Sequence, residues 1–164
     1  MKRFIIAMLL VLCMAFGAYG AESVTLSDAG GRIYDNQGNW IQYIITVTIT
    51  TAADGSLTAK TINAADTGII RGGPVGWCLD EVYVDPGATQ PDADSTLTIT
   101  QLGADLLGGN GSELIHNANT TTTHPACDGQ PKRREVFTDL SLDVTGNTAN
   151  SATMTIYLIF VRPN

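Results

Sequence analysis

The side chains best suited to chemistry in this chain lie close together in one polar segment, residues 108–131. His116, His124 and Cys127 are residue types that bind zinc. Their spacing matches no pattern of a closed zinc site, and Cys127 has a competing role in a disulfide. We therefore expect the two histidines to be surface residues of a binding loop, and we expect no metal cofactor.

A second cluster of oxygen ligands follows a predicted strand. Asp85, Asp92 and Asp94 share one proline-containing loop, and carboxylate oxygens are ligands that Ca²⁺ prefers. The spacing of an EF-hand is absent, and aspartate is also a common turn residue. We predict that these carboxylates shape a loop able to contact a partner and do not hold an ion.

Sequence motifs of catalysis are absent from the chain. It contains no G-x-S-x-G, H-E-x-x-H or P-loop spacing. A Ser-His-Asp arrangement forms only in space, and nothing in the sequence nominates its serine. We predict a protein that is not an enzyme and that uses no cofactor.

Aromatic side chains offer another class of site, because sugar rings stack on them. Trp77 begins a predicted strand, although aromatic residues in strands usually pack in a core. An adhesin-like module that binds glycans or another extracellular surface is therefore the alternative function. It would use Trp77 and the loops at residues 85–94 and 108–131.

The charge balance excludes one class of partner. Beyond residue 20 the chain has seven Lys and Arg against sixteen Asp and Glu, a formal charge of −9. Such a surface repels nucleic acid, whose binding depends on cationic side chains that contact phosphates. Lys132, Arg133 and Arg134 form one small basic cluster, which we interpret as a solvated turn before a strand.

The N-terminus has the layout of a secretory signal peptide. Two basic residues precede an uncharged apolar run of 15 residues, 4–18, and small residues precede a cleavage site at Ala21. The run is shorter than the ~20 residues that span a bilayer, and an uncleaved membrane anchor is the alternative. We predict a signal peptide, residues 1–20, and one secreted, periplasmic or surface-exposed domain, residues 21–164, without a membrane span.

Cys78 and Cys127 are the two cysteines beyond the predicted signal peptide. Export places them in an oxidising compartment, where cysteines pair by default. We predict a disulfide between them, which stabilises by about 4 kcal/mol in the chain-entropy treatment. Two buried free thiols are the alternative, because the sequence does not give the distance between the cysteines.

Apolar and polar residues alternate along most of the chain beyond residue 20, as in strands with one buried face. From Ile41 to Thr50 the odd positions are apolar and the even positions are mostly threonine. Thr153–Val161 is apolar on both faces, which predicts a strand that is central or lies at an interface. Other strands are predicted at residues 24–26, 57–62, 77–84, 96–100 and 136–145.

Turn signals separate these strands at short intervals, and Asp54-Gly55 is a candidate hairpin turn. Residues 108–131, including the run Thr120–Thr123, do not read as strands and are predicted to form a long functional loop. Many short strands with frequent turns predict an all-β fold. We expect a single antiparallel β-sandwich, jelly-roll-like, with about eight strands.

The stretch from Asp94 to Leu114 resembles a recurring segment in small β-rich structural proteins of tailed bacteriophages and prophages. It reads D-S-T-L-T-I-T-Q-L-G-A-D-L-L-G-G-N-G-S-E-L. A strand after a proline-bearing loop precedes Gly103, and a Gly- and Asn-rich segment follows Asp105. The strand, small-residue turn and hydrophobic strand in residues 140–161 match the end of that family.

The resemblance covers about residues 40–162 and implies a non-enzymatic virion component of the head-decoration or tail-associated type. Such proteins oligomerise, so it implies a homo-oligomer or a virion or surface assembly. The export signal and the pair Cys78 and Cys127 depart from the family pattern. These departures indicate a secreted prophage-derived protein or a host surface protein.

Overall fold

The computed structural model describes residues 21–27, 32–34, 36–38, 40–62, 74–93, 95–112 and 114–163. The predicted signal peptide and Asp94 lie outside these residues. Within them the chain is all-β, as the sequence predicts. Its strands are β1 (Ser23–Ser27), β2 (Arg32–Tyr34), β3 (Trp40–Thr50), β4 (Lys60–Ile62), β5 (Trp77–Pro86), β6 (Thr96–Gln101), β7 (Ala104–Asp105), β8 (Thr121–Thr123), β9 (Ala126–Cys127), β10 (Gln130–Pro131), β11 (Arg134–Val136), β12 (Leu140–Thr145) and β13 (Thr153–Val161).

The described strands form two main antiparallel sheets. The seven-stranded sheet has the order β1-β3-β13-β5-β11, with β2 added beside β3 and β8 beside β5. The four-stranded sheet has the order β4-β12-β6-β7, and β9 and β10 form a separate hairpin. Apolar side chains of both large sheets join one buried cluster. The predicted sandwich-like fold is confirmed, with more and shorter strands than the eight expected, and the jelly-roll connectivity stays a prediction.

Strand β3 shows why the alternating pattern forms this sheet. Ile45, Val47 and Ile49 are fully buried, while the threonines between them point away from the core. Tyr43 continues the buried row, where its ring stacks on Phe160 with ring centroids 4.9 Å apart. Burial raises the pKa of the Tyr43 hydroxyl well above its usual range. The odd positions therefore fix the register of the central strands.

Strand β13 is central, as predicted, since it pairs with both β3 and β5. Its two faces differ in burial within the single chain. Ile156, Leu158 and Phe160 are fully buried, whereas the intervening side chains are half-buried. The apolar residues of its outer row are therefore not covered by the four-stranded sheet.

The single strand predicted at residues 136–145 is two strands in different sheets. Val136 is buried in β11 of the seven-stranded sheet, and Leu140 begins β12 of the four-stranded sheet. Phe137, between them, is 61% exposed. Its backbone N–H donates to Oε1 of Gln101 at 2.9 Å. The alternation continues through the crossing because both strands bury the same side of the chain, so periodicity alone does not reveal the change of sheet.

Two turn predictions are corrected by the topology. Asp54-Gly55 lies between β3 and β4, which belong to different sheets, so it is not a hairpin turn. A two-residue hairpin forms instead at Asp128-Gly129, where both residues have positive φ, 53° and 73°. That conformation is typical of a type I′ turn. Thr121–Thr123, predicted as loop, is strand β8, because the edge of β5 offers it unpaired backbone groups.

Candidate functional site

The outer face of the seven-stranded sheet carries a group of apolar side chains that we name the apolar patch. Residues directly opposite on antiparallel strands share a face. Ile159 of β13 is opposite Ile44 of β3, and Tyr157 is opposite Tyr83 of β5. The rings of the two tyrosines meet edge to face, with centroids 5.5 Å apart. The apolar patch consists of Ile33, Ile44, Tyr83, Tyr157, Ile159 and Val161.

The other half of the same face is covered by hydroxyl side chains and is named the threonine region. Thr155 of β13 is opposite Thr48 of β3, and Thr48 is opposite Thr25 of β1. Thr50 and Thr153 form the next row toward the end of the sheet. One sheet therefore presents a polar, hydrogen-bonding half and an apolar half on the same side.

The apolar patch is partly open to solvent. Tyr83 is 38% exposed and Ile33 is 48% exposed, and the other members are half-buried. By the described register, Glu81 on β5 lies directly opposite Ile159, and Glu135 on β11 lies further out, opposite Cys78. Gln42 on β3 lies opposite both Ile33 and Val161. The carboxylate of Glu81 accepts a hydrogen bond of 2.7 Å from the hydroxyl of Thr122. The patch is therefore mainly apolar, with one carboxylate and one amide among its apolar side chains.

The aspartates predicted to line a binding loop have structural roles where the structure describes them. Asp85 lies in β5, and its Oδ1 accepts a hydrogen bond from the Thr120 hydroxyl at 3.2 Å. Asp92 accepts hydrogen bonds from the backbone N–H and the hydroxyl of Thr148, at 2.5 and 2.6 Å. The Thr148 hydrogen bonds lower the pKa of the Asp92 carboxyl. Both carboxylates tie the fold together across long separations in sequence.

Asn147 completes the loop cluster around Asp92. Its side-chain oxygen accepts a hydrogen bond from the backbone N–H of Asp92 at 3.0 Å. Its side-chain nitrogen donates to the carbonyl of Gly55 at 2.9 Å. Three turns are therefore joined through one buried amide, a role that sequence reasoning did not assign to Asn147.

Trp77 does not present its ring as a platform for a sugar. It meets Tyr43 edge to face, with ring centroids 4.7 Å apart, and packs against the core. This contact gives Trp77 a structural role, as is usual for aromatic residues in strands.

The two histidines make separate local contacts with the backbone. Nδ1 of His116 accepts hydrogen bonds from the backbone N–H groups of Ala118 and Asn119, at 3.1 and 3.3 Å, and so stabilises its own turn. Nδ1 of His124 lies 2.9 Å from the carbonyl oxygen of Asp80. Among the residues that the structure describes, no group of three or more His, Cys, Asp or Glu side chains could hold a metal ion.

Cys78 and Cys127 line the same surface cleft, which we name the cysteine cleft. The predicted disulfide is not formed: both residues are half-buried free thiols. The cleft has a volume of about 510 Å³. Its other lining residues are Gln101, Lys132, Arg133, Arg134, Glu135 and Phe137.

The walls of the cysteine cleft come from two elements. Cys78 lies on β5 opposite Glu135 of β11, next to the apolar patch. Cys127 lies on β9, immediately before the Asp128-Gly129 turn. Burial, and then the negative charge of Glu135, raise the pKa of the Cys78 thiol. A raised pKa keeps Cys78 protonated and slows its reactions as a nucleophile.

The basic cluster is more ordered than the predicted solvated turn. Nε of Arg133 forms an ion pair of 2.6 Å with Oδ1 of Asp80. Nη1 of Arg134 donates to the carbonyl of Ala126 at 3.3 Å, and Arg134 begins β11. These contacts fix one wall of the cysteine cleft against the β9–β10 hairpin.

The stretch that carries the phage resemblance has an architectural role in this fold. Leu106 and Leu107 are buried. The carboxylate of Asp105 accepts hydrogen bonds from the backbone N–H groups of Leu107 and Gly109, at 2.9 and 2.8 Å. The Gly-x-Asp-Leu-Leu-Gly-Gly sequence thus encodes a capped turn that anchors two core residues.

Comparison of the chain with protein-family models, with curated proteins and with solved structures finds no match. The described part of the chain includes no helix long and apolar enough to cross a membrane. The function must therefore be argued from the two surface features above, the apolar patch and the cysteine cleft. Of these, sequence reasoning located the β13 row of the patch, but it missed the hairpin that forms the cleft.

Proposed function

We propose that this protein is an exported, non-enzymatic structural domain that assembles through its apolar patch. The observation that carries the proposal is the outer row of β13, where Tyr157, Ile159 and Val161 alternate with core residues yet are only half-buried. Contiguous apolar surface on a soluble domain usually marks an interaction site. Burying it against a partner gives the free energy that drives assembly.

The occupant that we propose for the patch is a second copy of the same chain. Two copies related by a two-fold axis bring identical patches together, so an apolar surface on one copy is matched by an apolar surface on the other. Both copies are acidic, and like charges repel across an interface. Glu81 lies opposite Ile159, where its carboxylate accepts a hydrogen bond from Thr122 of the same chain, and Glu135 lies further out beside Cys78.

The aromatic pair is the expected centre of the contact. Tyr83 and Tyr157 together present a large apolar surface with two hydroxyl groups. Tyrosine is enriched at the centres of protein interfaces, because its ring buries area while its hydroxyl finds a partner. Thr46, opposite Tyr157, begins the hydroxyl-bearing rim on the side of the threonine region.

Sedimentation velocity and light scattering on residues 21–164 test this proposal. We expect the wild-type domain to form a dimer or a larger oligomer, and Ile159→Lys to lower its association constant at least about 100-fold, because a buried unpaired charge costs several kcal/mol. The matched control is Thr48→Lys, which adds the same charge to the threonine region of the same face. We expect the control to associate like the wild type.

A wild-type domain that stays monomeric at high concentration would contradict the proposal. A monomer that binds glycans on an array would replace it by the adhesin-like alternative. Circular dichroism of Ile159→Lys verifies that the variant is folded, so that loss of association is not mistaken for unfolding.

The phage relationship is the finer part of the proposal. It is supported by the resemblance of residues 94–114 and 140–161 to small virion proteins, and it places the assembly on a virion or on a cell surface. Portal, capsid or tail genes next to the gene for this chain would support a virion role. Neighbouring genes for secretion or surface display would favour a host surface protein.

A further inference from the structure

Two thiols that are distant in sequence line one cleft. Cys78 lies on β5 of the seven-stranded sheet, and Cys127 lies on the β9–β10 hairpin. Both side chains are half-buried, so both are open to small molecules in the cleft. Beyond the predicted signal peptide the sequence contains no third cysteine that would compete for either thiol.

The hairpin is attached at its base, close to Ala126. The backbone N–H of Ala126 donates to the carbonyl of Leu106 at 3.2 Å, and its carbonyl accepts from Arg134. At the other strand of the hairpin, the backbone N–H of Lys132 donates to the carbonyl of Pro125 at 2.8 Å. Cys127 lies beyond these attachments, toward the Asp128-Gly129 turn, and among the described strands β9 and β10 pair only with each other.

We propose that Cys78 and Cys127 are a redox pair, which a low-molecular-weight disulfide oxidises to an intramolecular disulfide that closes the cysteine cleft. The product would tie the β9–β10 hairpin covalently to β5. In the structure both thiols are free. This inference does not rest on self-association.

The chemistry is thiol–disulfide exchange, with oxidised glutathione as a representative oxidant. The thiolate of Cys127 attacks one sulfur of oxidised glutathione, which gives a mixed disulfide and one glutathione thiolate. The thiolate of Cys78 then attacks the sulfur of Cys127, and the second glutathione leaves. The two protons of the cysteine thiols go to the two glutathione thiolates, so two electrons pass from the cysteines to the oxidant.

The proposed order of attack follows from the position of Cys78, which lies opposite Glu135 of β11. Burial and the neighbouring Glu135 raise the pKa of the Cys78 thiol, which disfavours it as the first nucleophile. Once Cys127 carries glutathione, Cys78 is held in the same cleft as the disulfide that it must attack. High effective concentration then favours closure over attack by a second molecule of glutathione.

The rate of trypsin cleavage at the basic cluster should distinguish the closed form from the open form. Lys132 and Arg133 lie between the hairpin and β11 and are exposed, and Arg134 is the first residue of β11. Cleavage there requires local opening of this segment. A covalent link from Cys127 to β5 would restrict that opening, and we expect cleavage at Lys132 and Arg133 to slow by about fivefold or more.

The test incubates purified, reduced residues 21–164 with glutathione buffers of increasing oxidised fraction, followed by acid quenching and intact mass measurement. We expect one product that is about 2 Da lighter than the reduced protein, as expected for loss of two hydrogens, with no glutathione retained. Peptide mapping without reductant should join the peptides that contain Cys78 and Cys127. Ile159→Lys should give the same product, which separates this result from the assembly proposal.

Cysteine-to-serine variants distinguish formation of the intramolecular disulfide from simple modification by glutathione. Cys78→Ser should stop the reaction at a stable glutathione adduct on Cys127, and the double serine variant should show no mass change and no change in trypsin cleavage. Stable adducts on both cysteines of the wild type, a disulfide between two chains, or thiols that stay free in the most oxidising buffer would each overturn the proposal. An intramolecular disulfide with an unchanged rate of cleavage at Lys132 would overturn the closing of the cleft.

Discussion

The two faces of β13 differ although they belong to one strand. Ile156, Leu158 and Phe160 are fully buried against the four-stranded sheet. Tyr157 and Ile159, on either side of Leu158, are also largely apolar but are only half-buried. Apolar character therefore does not distinguish the core row from the outer row. What distinguishes them is the partner: the core row has one within the chain, and the outer row is the surface that we propose for a second copy.

The same contrast is absent from the threonine region. There, Thr48 and Thr155 face outward on the strands whose inner rows carry Val47 and Ile156. Threonine hydroxyl groups form hydrogen bonds with water, so this half of the face can remain exposed to solvent. The outer face is thus a polar surface at one end and an incomplete interface at the other, and the following predictions test that division.

The largest expected effect separates the two rows of β13 directly. Leu158→Ala should lower the free energy of unfolding by about 3 kcal/mol, because it leaves a cavity in the core. Ile159→Ala, at the adjacent half-buried position, should lower it by roughly 1 kcal/mol or less in the monomer. Chemical denaturation at low protein concentration measures both values. Equal losses would show that the outer row is packed as tightly as the core.

A smaller effect is expected where loops hold the end of the sheet beside the threonine region. Asn147→Ala removes hydrogen bonds to Gly55 and Asp92 and leaves their backbone groups unpaired. We expect a loss of about 2 kcal/mol in the free energy of unfolding, with no change in self-association. A changed sedimentation coefficient for this variant would mean that the assembly contact extends to this end of the sheet.

The smallest effect is a pH dependence at the same loops. Hydrogen bonds from Thr148 lower the pKa of Asp92 in the folded state. The contribution of this carboxylate to stability is therefore present above its unfolded pKa, near ~3.9, and is lost as the pH falls through the lower folded pKa. Asp92→Asn should lower the melting temperature at neutral pH and flatten its acid limb, so that the variant and the wild type converge at low pH. An acid limb identical to that of the wild type would contradict the role of Asp92.

Much of the fold could be predicted from period-two patterns. The alternation at β3, β6 and β12 is clear because each strand has one core face, so every second residue must be apolar. The two-sided apolar pattern of β13 identified a central strand. It did not reveal whether the outer row is covered, because cover is a property of neighbouring surfaces and not of the strand itself.

Other features depended on tertiary contacts that leave little trace in sequence. The chain crosses between sheets near Phe137 without interrupting the alternation. The pattern therefore predicted one strand where the structure has two. The short strand at Thr121–Thr123 forms because β5 has a free edge. The Asp128-Gly129 hairpin did have a signal, since Asp-Gly is a typical type I′ sequence. Reading that signal would have placed Cys127 on a hairpin and drawn attention to the cysteine cleft.

Hydroxyl-radical footprinting at increasing protein concentration tests the division of the outer face most directly. We predict that oxidation of Tyr83 and Tyr157 falls together as the domain associates, while oxidation of Phe137, exposed outside the apolar patch, stays constant. The same series on Ile159→Lys should show both tyrosines reactive at every concentration. Tyrosine reactivity that does not change with concentration in the wild type, or that falls equally in Ile159→Lys, would contradict the assembly of this protein through its apolar patch.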